Sequence, residues 1–191
     1  MTSVYEQQQG VLSLQDPITT IDLLQSSSPV NVATPWEETR GVLETAEVFW
    51  LATVCADGRP HVTPVSALWL DGTLCFSIGG IAPKTKHLRG NAHVVLTTGS
   101  NHLATGFDVV VDGDAVERTD VAVLERLNQM WRTLWGEDWP IEFRNGVFYE
   151  EAIKRGTGEQ GGELLLVIAV TPTKMFAYTR GEQWSQTRYQ F

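Results

Sequence analysis

Short apolar-rich runs separated by clusters of turn-forming polar residues dominate the chain, a pattern typical of strands. Three such runs follow one another over residues 49–55, 61–70 and 73–78, and each is rich in β-branched and aromatic residues. The segments between them, residues 56–60 and Asp71-Gly72, carry the Gly, Asp and Pro residues that favour tight turns. The pattern therefore predicts three consecutive antiparallel strands joined by short turns.

Further strands are predicted downstream, and they place distant parts of the chain side by side. Residues 107–118 form either a hairpin or one long strand, because an Asp112-Gly113 turn signal lies inside the run. Strands late in the chain must pair with strands near its start, which favours a closed or partly closed antiparallel barrel. The predicted class is mainly β, a β-barrel with added helices, and its later strands cover residues 93–98, 107–118, 163–170, 174–179 and 184–191.

Three helices are predicted from their end signals and apolar spacing. The first starts with Thr34 as N-cap, Pro35 in the first turn and Glu37 as the capping-box acid. The second runs from Pro83 to Gly90, and the third covers residues 119–135 with an apolar stripe at helical spacing, which we interpret as a packed core face.

The first 33 residues differ in composition from the rest of the chain. They are polar, rich in Gln and Ser and poor in charge, so residues 1–33 are predicted to be a flexible N-terminal extension and residues 34–191 the folded domain. Apolar residues within the extension, Ile21, Leu23 and Leu24, could dock on a partner subunit.

Charge and composition exclude several classes of protein. The net charge of −9 argues against nucleic-acid binding, which needs a basic face. No apolar run is long enough to span a membrane and no basic-then-apolar leader opens the chain, so we expect a cytoplasmic protein without a membrane partner. Cys55 and Cys75 fall in predicted strands as reduced thiols, and the four scattered histidines form no metal-binding spacing.

The only concentrated positive charge lies in the predicted helix at residues 83–90. Free backbone N–H groups at its start, together with Lys84, could hold a phosphate group. The alternative is a solvated basic turn that offsets nearby acidic charge, and spacing alone favours this alternative.

Several motifs together resemble one known family. WLATV, ADGRPHVTPV, WLDGTLCFS, PKTKHLRGNAHVVL and the closing GEQWSQTRYQF, in this order, resemble the pyridoxamine 5′-phosphate oxidase-like FMN-binding split-barrel family, in its flavin/deazaflavin-dependent oxidoreductase branch. The resemblance runs from about residue 36 to residue 191. It implies a six-stranded antiparallel split barrel of the FMN-binding type.

The resemblance also assigns roles to individual residues. Lys84 matches the position that holds the cofactor phosphate, and Arg188 matches a C-terminal arginine that approaches the cofactor of the other subunit. The family often has Ser-Arg before the lysine, whereas this chain has Ala82 and Pro83, which removes a hydroxyl and a guanidinium. The remaining cofactor-binding positions are His61, which opens the strand along the ring, Thr63, Pro64 and Val65 on that strand, Ser77 and Ile78 beside the phosphate, and the assisting Lys86.

The resulting functional hypothesis is a homodimeric oxidoreductase that transfers hydride between a bound flavin-type cofactor and a small organic substrate. The cofactor is FMN or the deazaflavin coenzyme F-420, and the basic Lys86 and Arg89 favour the deazaflavin. No catalytic acid or base and no metal ligand is assigned. The alternative is a non-catalytic flavin- or haem-binding or sequestering protein of the same fold, in which an axial haem ligand would come from His61, His87, His93 or His102.

Overall fold

The computed structural model describes residues 16–21, 32–136, 141–150, 162–181 and 184–191. Within these ranges the chain forms eleven strands and three helices. In chain order they are β1 (Ile18–Ile21), α1 (Trp36–Thr45), β2 (Phe49–Val54), β3 (Pro60–Val65), β4 (Ala67–Leu70), β5 (Thr73–Gly79), α2 (Pro83–Gly90), β6 (His93–Thr98), β7 (Gly106–Arg118), α3 (Val121–Trp135), β8 (Ile141–Arg144), β9 (Val147–Glu150), β10 (Glu163–Arg180) and β11 (Ser185–Gln190).

All strand pairs are antiparallel and belong to one sheet, which confirms the predicted mainly-β class. Its main path runs β1-β11-β10-β7-β6-β2-β3. β10 also pairs with β5 and with β9, and these two strands pair in turn with β4 and with β8, in that order. Among the described strands β3 pairs with β2 alone, so hydrogen bonds do not close the sheet into a ring. The six predicted barrel strands correspond to β2, β3 with its continuation β4, β5, β6, β7 and β10.

Two strand boundaries differ from those predicted, and the single-strand alternative for residues 107–118 is confirmed. The run at residues 61–70 breaks at Ser66 into β3 and β4, because β3 pairs with β2 whereas β4 pairs with β5. Residues 107–118 lie in a single strand, so Asp112-Gly113 is not a turn. The two late runs form one 18-residue strand, β10, whose pairing register shifts between Pro172 and Lys174.

The predicted tight turns are confirmed by the backbone. Asp71 and Gly72 both have positive φ, 48° and 75°, as a two-residue hairpin turn requires. Gly58 has a φ of 85° in the turn between β2 and β3, where its N–H donates to the Cys55 carbonyl at 2.9 Å. The Asp71 carboxylate also accepts two hydrogen bonds from the Arg126 guanidinium, at 2.6 and 3.0 Å, which ties this turn to α3.

The helices cover two apolar clusters on the two sides of β5 and β10. One cluster lies inside the barrel and includes Leu43 of α1, and the other lies under α3. The predicted apolar stripe of α3 is confirmed as a core face, because Leu124, Leu127 and Trp131 are buried. The Asp120 side chain caps α3 by accepting the Val123 N–H at 3.0 Å.

The start of α1 differs from the prediction. Pro35 occupies the N-cap position and no side chain caps the helix. Thr34 is bound instead to β11: its N–H donates to Thr187 Oγ1 at 2.8 Å, and the Tyr189 hydroxyl donates to its carbonyl at 2.7 Å. Thr34 therefore satisfies buried polar groups of β11 and does not cap α1.

The predicted flexible extension contains a docked strand. Four of its residues form β1, which pairs with β11 from Ile18↔Gln190 to Ile21↔Thr187. Leu23 and Leu24 lie outside the described residues. Residues 18–21 are thus part of the sheet, and the domain boundary at residue 34 stays a prediction.

The two cysteines are free thiols. Cys75 is buried in β5, and burial raises the pKa of its thiol. Cys55 follows the end of β2 rather than lying within the strand as predicted. Across the described ranges, no helix combines the length and apolarity that crossing a bilayer requires.

Gly113 lies where β7 and β10 approach each other most closely, and it offers a test of this packing. A Cβ at this position would meet the Thr171 carbonyl and the Val170 side chain. We expect Gly113→Ala to lower the free energy of unfolding by about 1–3 kcal/mol, because neither strand can move apart without breaking its ladder. Chemical denaturation measures the change.

Gly41→Ala is the matched control for that measurement. Gly41 lies in α1, and a Cβ added there would meet no atom from the rest of the fold within 4 Å. Alanine should therefore stabilise the protein by roughly 0.5–1 kcal/mol, since it loses less backbone entropy than glycine in a helix. Equal effects of the two substitutions would contradict the close approach at Gly113.

Candidate functional site

The candidate site is the cleft between α2 and the edge strand β3. Helix α2 follows β5 directly and begins with Pro83 in its first turn, as predicted. The buried hydroxyl of Thr85 donates to the Gly79 carbonyl at 2.7 Å, which fixes the first turn of the helix to the end of β5. The side chain next to this anchor is Lys84.

Lys84 is a half-buried cation with no counter-ion among the residues that the structure describes. Burial lowers the pKa of its amine, because the charged form is partly removed from water. None of the ion pairs between described residues includes Lys84. A ligand anion would supply the missing charge partner.

His87 lies one helical turn after Lys84 and therefore on the same side of α2. Its Nδ1 is 3.0 Å from Thr53 Oγ1, on β2. The His61 ring, on β3, meets the His87 ring edge-on, with 5.1 Å between the ring centroids. The helix and the β2-β3 hairpin thus form the two walls of one polar cleft.

The β3 wall carries buried polar atoms that have no partner within the described part of the chain. They are His61 Nδ1, Thr63 Oγ1 and, just past the strand, Ser66 Oγ. Strand alternation puts His61 and Thr63 on one face of β3. An unmet buried polar atom costs about 1–3 kcal/mol, so a polar ligand in this cleft would stabilise the protein.

β3 is also an edge strand, so half of its backbone groups face away from β2. Pro64 lies on this strand, opposite Trp50, in agreement with the prediction of an edge or bend there. A flat ring could hydrogen-bond to the free backbone along this edge.

The structure brings together only part of the predicted site. The His61 ring meets the His87 ring of α2, Thr63 shares the face of His61, and Lys84 lies one helical turn before His87. The side chains of Val65 and Ile78 are buried in the core. Pro64 is exposed on the opposite face of β3 and contributes backbone only.

The two remaining predicted residues near Lys84 face elsewhere. Ser77 is on the same side of β5 as Cys75, opposite Ile78. Lys86 is exposed and two residues beyond Lys84, which places it on the other side of α2. The roles implied for Ser77 and Lys86 stay predictions.

Arg188 is distant from the cleft of its own chain. It pairs with Phe176 on β10, whereas Ser77 pairs with Val167, nine residues away along the same strand, or roughly 30 Å. Its Nε donates to Thr20 Oγ1 at 3.3 Å. A role for Arg188 at a cofactor therefore requires a second copy of the chain.

Sequence reasoning named His87 only as a candidate haem ligand, although it lies three residues after Lys84 on a helix. It missed Thr53, which could be placed only through its pairing with His61 across β2 and β3.

Comparison with protein families gives a match over most of the domain. The profile of the pyridoxamine 5′-phosphate oxidase family matches residues 35–154. The chain belongs to this family. The family resemblance is therefore confirmed, while the deazaflavin branch stays a prediction. A comparison of this chain with curated proteins found no match.

Solved structures with the same fold include flavin-binding and haem-binding proteins. A FAD-binding protein from Mesorhizobium loti is 19% identical, with 83% of this chain and 96% of that chain covered and a TM-score of 0.51. A pyridoxamine 5′-phosphate oxidase-related, FMN-binding protein from Nostoc punctiforme is 15% identical, with coverage of 82% and 91% and a TM-score of 0.55. A haem-binding protein from Mycobacterium smegmatis is 15% identical, with coverage of 78% and 56% and a TM-score of 0.54. At these levels of sequence identity, the structural similarity shows a shared fold and nothing further.

Lys84→Met should stabilise the ligand-free protein at neutral pH. The lowered pKa means that the folded state disfavours the charged amine, and this cost is present at every pH below that pKa. It disappears as the pH rises past the ordinary lysine value of 10.5. We expect a gain of less than about 1 kcal/mol, because solvent screens a half-exposed amine.

Denaturation of both proteins from neutral to alkaline pH measures this difference. Lys86→Met, on the exposed side of the same helix, should change stability by less than about 0.5 kcal/mol. A Lys84→Met protein that is less stable than the parent would show that the amine is already paired.

Proposed function

We propose that this chain binds a flavin-type cofactor in the cleft between α2 and β3 and acts as an oxidoreductase on a small organic substrate. The observation that carries the proposal is Lys84, a half-buried cation without an acidic partner in the described chain, one helical turn from His87, whose ring contacts His61 of β3. His61 and Thr63 of that strand have buried polar atoms without a partner in the described chain. Family membership and the FAD- and FMN-binding fold relatives support the same cofactor class.

In this proposal each wall of the cleft holds a different part of the cofactor. Lys84 binds the phosphate through a charge-assisted contact. The free edge of β3 lies along the ring system, where Thr63 supplies a hydroxyl. The flavin supplies the hydride chemistry, and the protein orients the ring and limits its access to water. No side chain of the cleft is assigned as a general acid or base.

The position of Lys86 bears on the choice of cofactor. The sequence favoured coenzyme F-420 because two further basic residues, Lys86 and Arg89, lie near Lys84. Both are exposed, and Lys86 is on the opposite side of α2, so Lys84 remains as the one half-buried cation of the helix. A single terminal phosphate suits one such cation, and we therefore place FMN ahead of the deazaflavin.

Lys84→Ala should weaken FMN binding by about 1.5–3 kcal/mol, the range for a contact with a charged group, or roughly 10- to 150-fold in Kd. Quenching of flavin fluorescence during titration of the purified protein measures this constant. Lys86→Ala should have a much smaller effect, about threefold or less, as expected for an exposed charge.

Parallel titrations complete the test. Tighter binding of coenzyme F-420 than of FMN would restore the deazaflavin assignment. Equal FMN affinity of the Lys84→Ala and parent proteins would reject the phosphate anchor. If FMN binds but a reductant produces no reduction of quinones, enones or dyes, the chain is a flavin-sequestering protein rather than an enzyme.

Haem binding is the second candidate, and the two histidine rings in the cleft favour it. His61 Nδ1 has no partner in the described chain, and a relative of the same fold is a haem-binding protein. A Soret band after haem addition that is lost in His61→Gln would support this candidate over a flavin.

We also propose that the protein is a homodimer formed through the outer face of its sheet. Strand register places Trp50, Thr97, Val110, Phe176 and Arg188 in one row across five strands. Trp50 is 53% exposed and begins an apolar patch of the kind that marks interfaces. Docking a second copy on this row would bring Arg188 toward the partner.

The cytoplasmic location likewise stays a proposal from the sequence.

Trp50→Lys should convert the protein to a monomer, because a buried, unpaired charge in the middle of the patch opposes association. Light scattering over a range of concentrations measures the mass. Leu103→Lys is the matched control, since Leu103 is 77% exposed and lies outside the row. A parent protein that is already monomeric would contradict the dimer and the shared role of Arg188.

A further inference from the structure

His61 and His87 form a pair that has no acidic partner. Their rings come from β3 and α2 and meet edge-on at 5.1 Å, with 73° between the ring planes. None of the ion pairs in the described chain includes either ring, whereas His93 has Asp114 at 2.6 Å. The pair therefore lacks the carboxylate that ordinarily stabilises a protonated histidine.

The hydrogen bonds of Thr53 determine how His87 can act. The Thr53 hydroxyl has one proton, which it can donate to the His61 carbonyl at 3.4 Å. The same oxygen is 3.0 Å from His87 Nδ1, and the tautomer of the ring decides which atom donates. A protonated His87 has two N–H donors, so Nδ1 can donate to Thr53 while Nε2 donates to a ligand.

The elements around the pair hold positive charge. β2 has no titratable side chain, β3 has only His61, and β5 has only Cys75. The other charged groups of α2 are all cationic: Lys84, Lys86 and Arg89.

None of the described acidic groups near these elements pairs with either ring. Asp57 pairs with Arg59 at 3.2 Å in the turn before β3, and the Glu163 carboxylate lies against Gly79, where Thr85 fixes the start of α2 to β5. Asp112 and Asp114 line one pocket with Thr53 and pair with Lys174 and His93. Protonating both rings would place two further cations near Lys84, which favours an anion there.

We propose that His61 and His87 form a second anion-binding element beside Lys84, which acts when the rings are protonated and binds the phosphate of the ligand. This inference rests on the proposed flavin-phosphate site. The element compensates for the start of α2, where Ala82 has no side-chain donor and Pro83 has no N–H. Binding of a phosphate-bearing ligand is then coupled to proton uptake by the protein.

The predicted pH dependence of FMN binding is opposite to the one that the charge of the phosphate alone would produce. A phosphate monoester gains its second negative charge near pH 6, so Lys84 alone would bind FMN more tightly at about pH 8 than at about pH 6. Histidine loses its charge between these values, so the proposed element reverses the order. We expect about tenfold tighter FMN binding at about pH 6.

Fluorescence titrations with FMN and with riboflavin at both pH values test this coupling. His61→Gln and His87→Gln retain a polar group that does not titrate, and each should abolish the preference for low pH. His102→Gln is the matched control, because His102 is exposed on a loop, and it should keep the preference. Riboflavin, which lacks the phosphate, should bind equally well at both pH values.

The outcomes separate this inference from the proposed function. If FMN binding depends on Lys84 but is equally tight or tighter at about pH 8, the histidine element is rejected and the flavin site is retained. If FMN does not bind at either pH, the flavin site is rejected, and inorganic phosphate followed by NMR of the histidine ring protons decides the inference. Shifts of the His61 and His87 signals, with those of His93 and His102 unchanged, support it, and no selective shift overturns it.

Discussion

The backbone pairing of β10 is the constraint on which the rest of the molecule depends. This 18-residue strand pairs with β7 along most of its length, with β5 over Leu165–Val170 and with β11 over Lys174–Thr179. The two walls of the cleft reach it by different routes. Helix α2 is one step away through β5, whereas β3 is reached through β7, β6 and β2 on one side and through its continuation β4, which pairs with β5, on the other. The relative position of the walls therefore depends on the register of β10, and a slip of one residue would reverse the faces of its partners.

The cleft concentrates buried polar atoms that have no partner in the described chain, although Trp131 Nε1 and Arg180 Nε lack one elsewhere. Most buried polar groups outside it are paired, as Thr34, Thr85 and Tyr189 show. In the cleft, a half-buried amine and several polar atoms have no partner in the described chain. Such local departures concentrate where a protein binds something, because the ligand rather than the fold supplies the partner. An acidic chain with net charge −9 thus contains a locally cationic pocket.

Features that depend on neighbouring residues were predictable from the sequence. The Asp71-Gly72 turn, the span of α2 from Pro83 to Gly90 and the core face of α3 all follow from local turn chemistry or periodicity. Features that depend on distant pairing were not. The capping role of Thr34 was displaced by β11. That Lys84 and Lys86 lie on different sides of α2 could be established only once the exposed side of the helix was known. The contact between Thr53 and His87 joins residues 34 positions apart, so no local pattern indicates it.

Pro64 has a consequence for the molecule in the crowded cell. A free strand edge is a template on which strands of other chains can add, and this is a common first step of aggregation. Proline has no N–H, so the edge of β3 cannot present an unbroken row of donors to an incoming strand. The bare edge can therefore remain open to a small flat molecule while resisting polymerisation with other polypeptides. Pro64, inside β3, and Pro60, at its start, let an unprotected sheet edge persist as a usable surface.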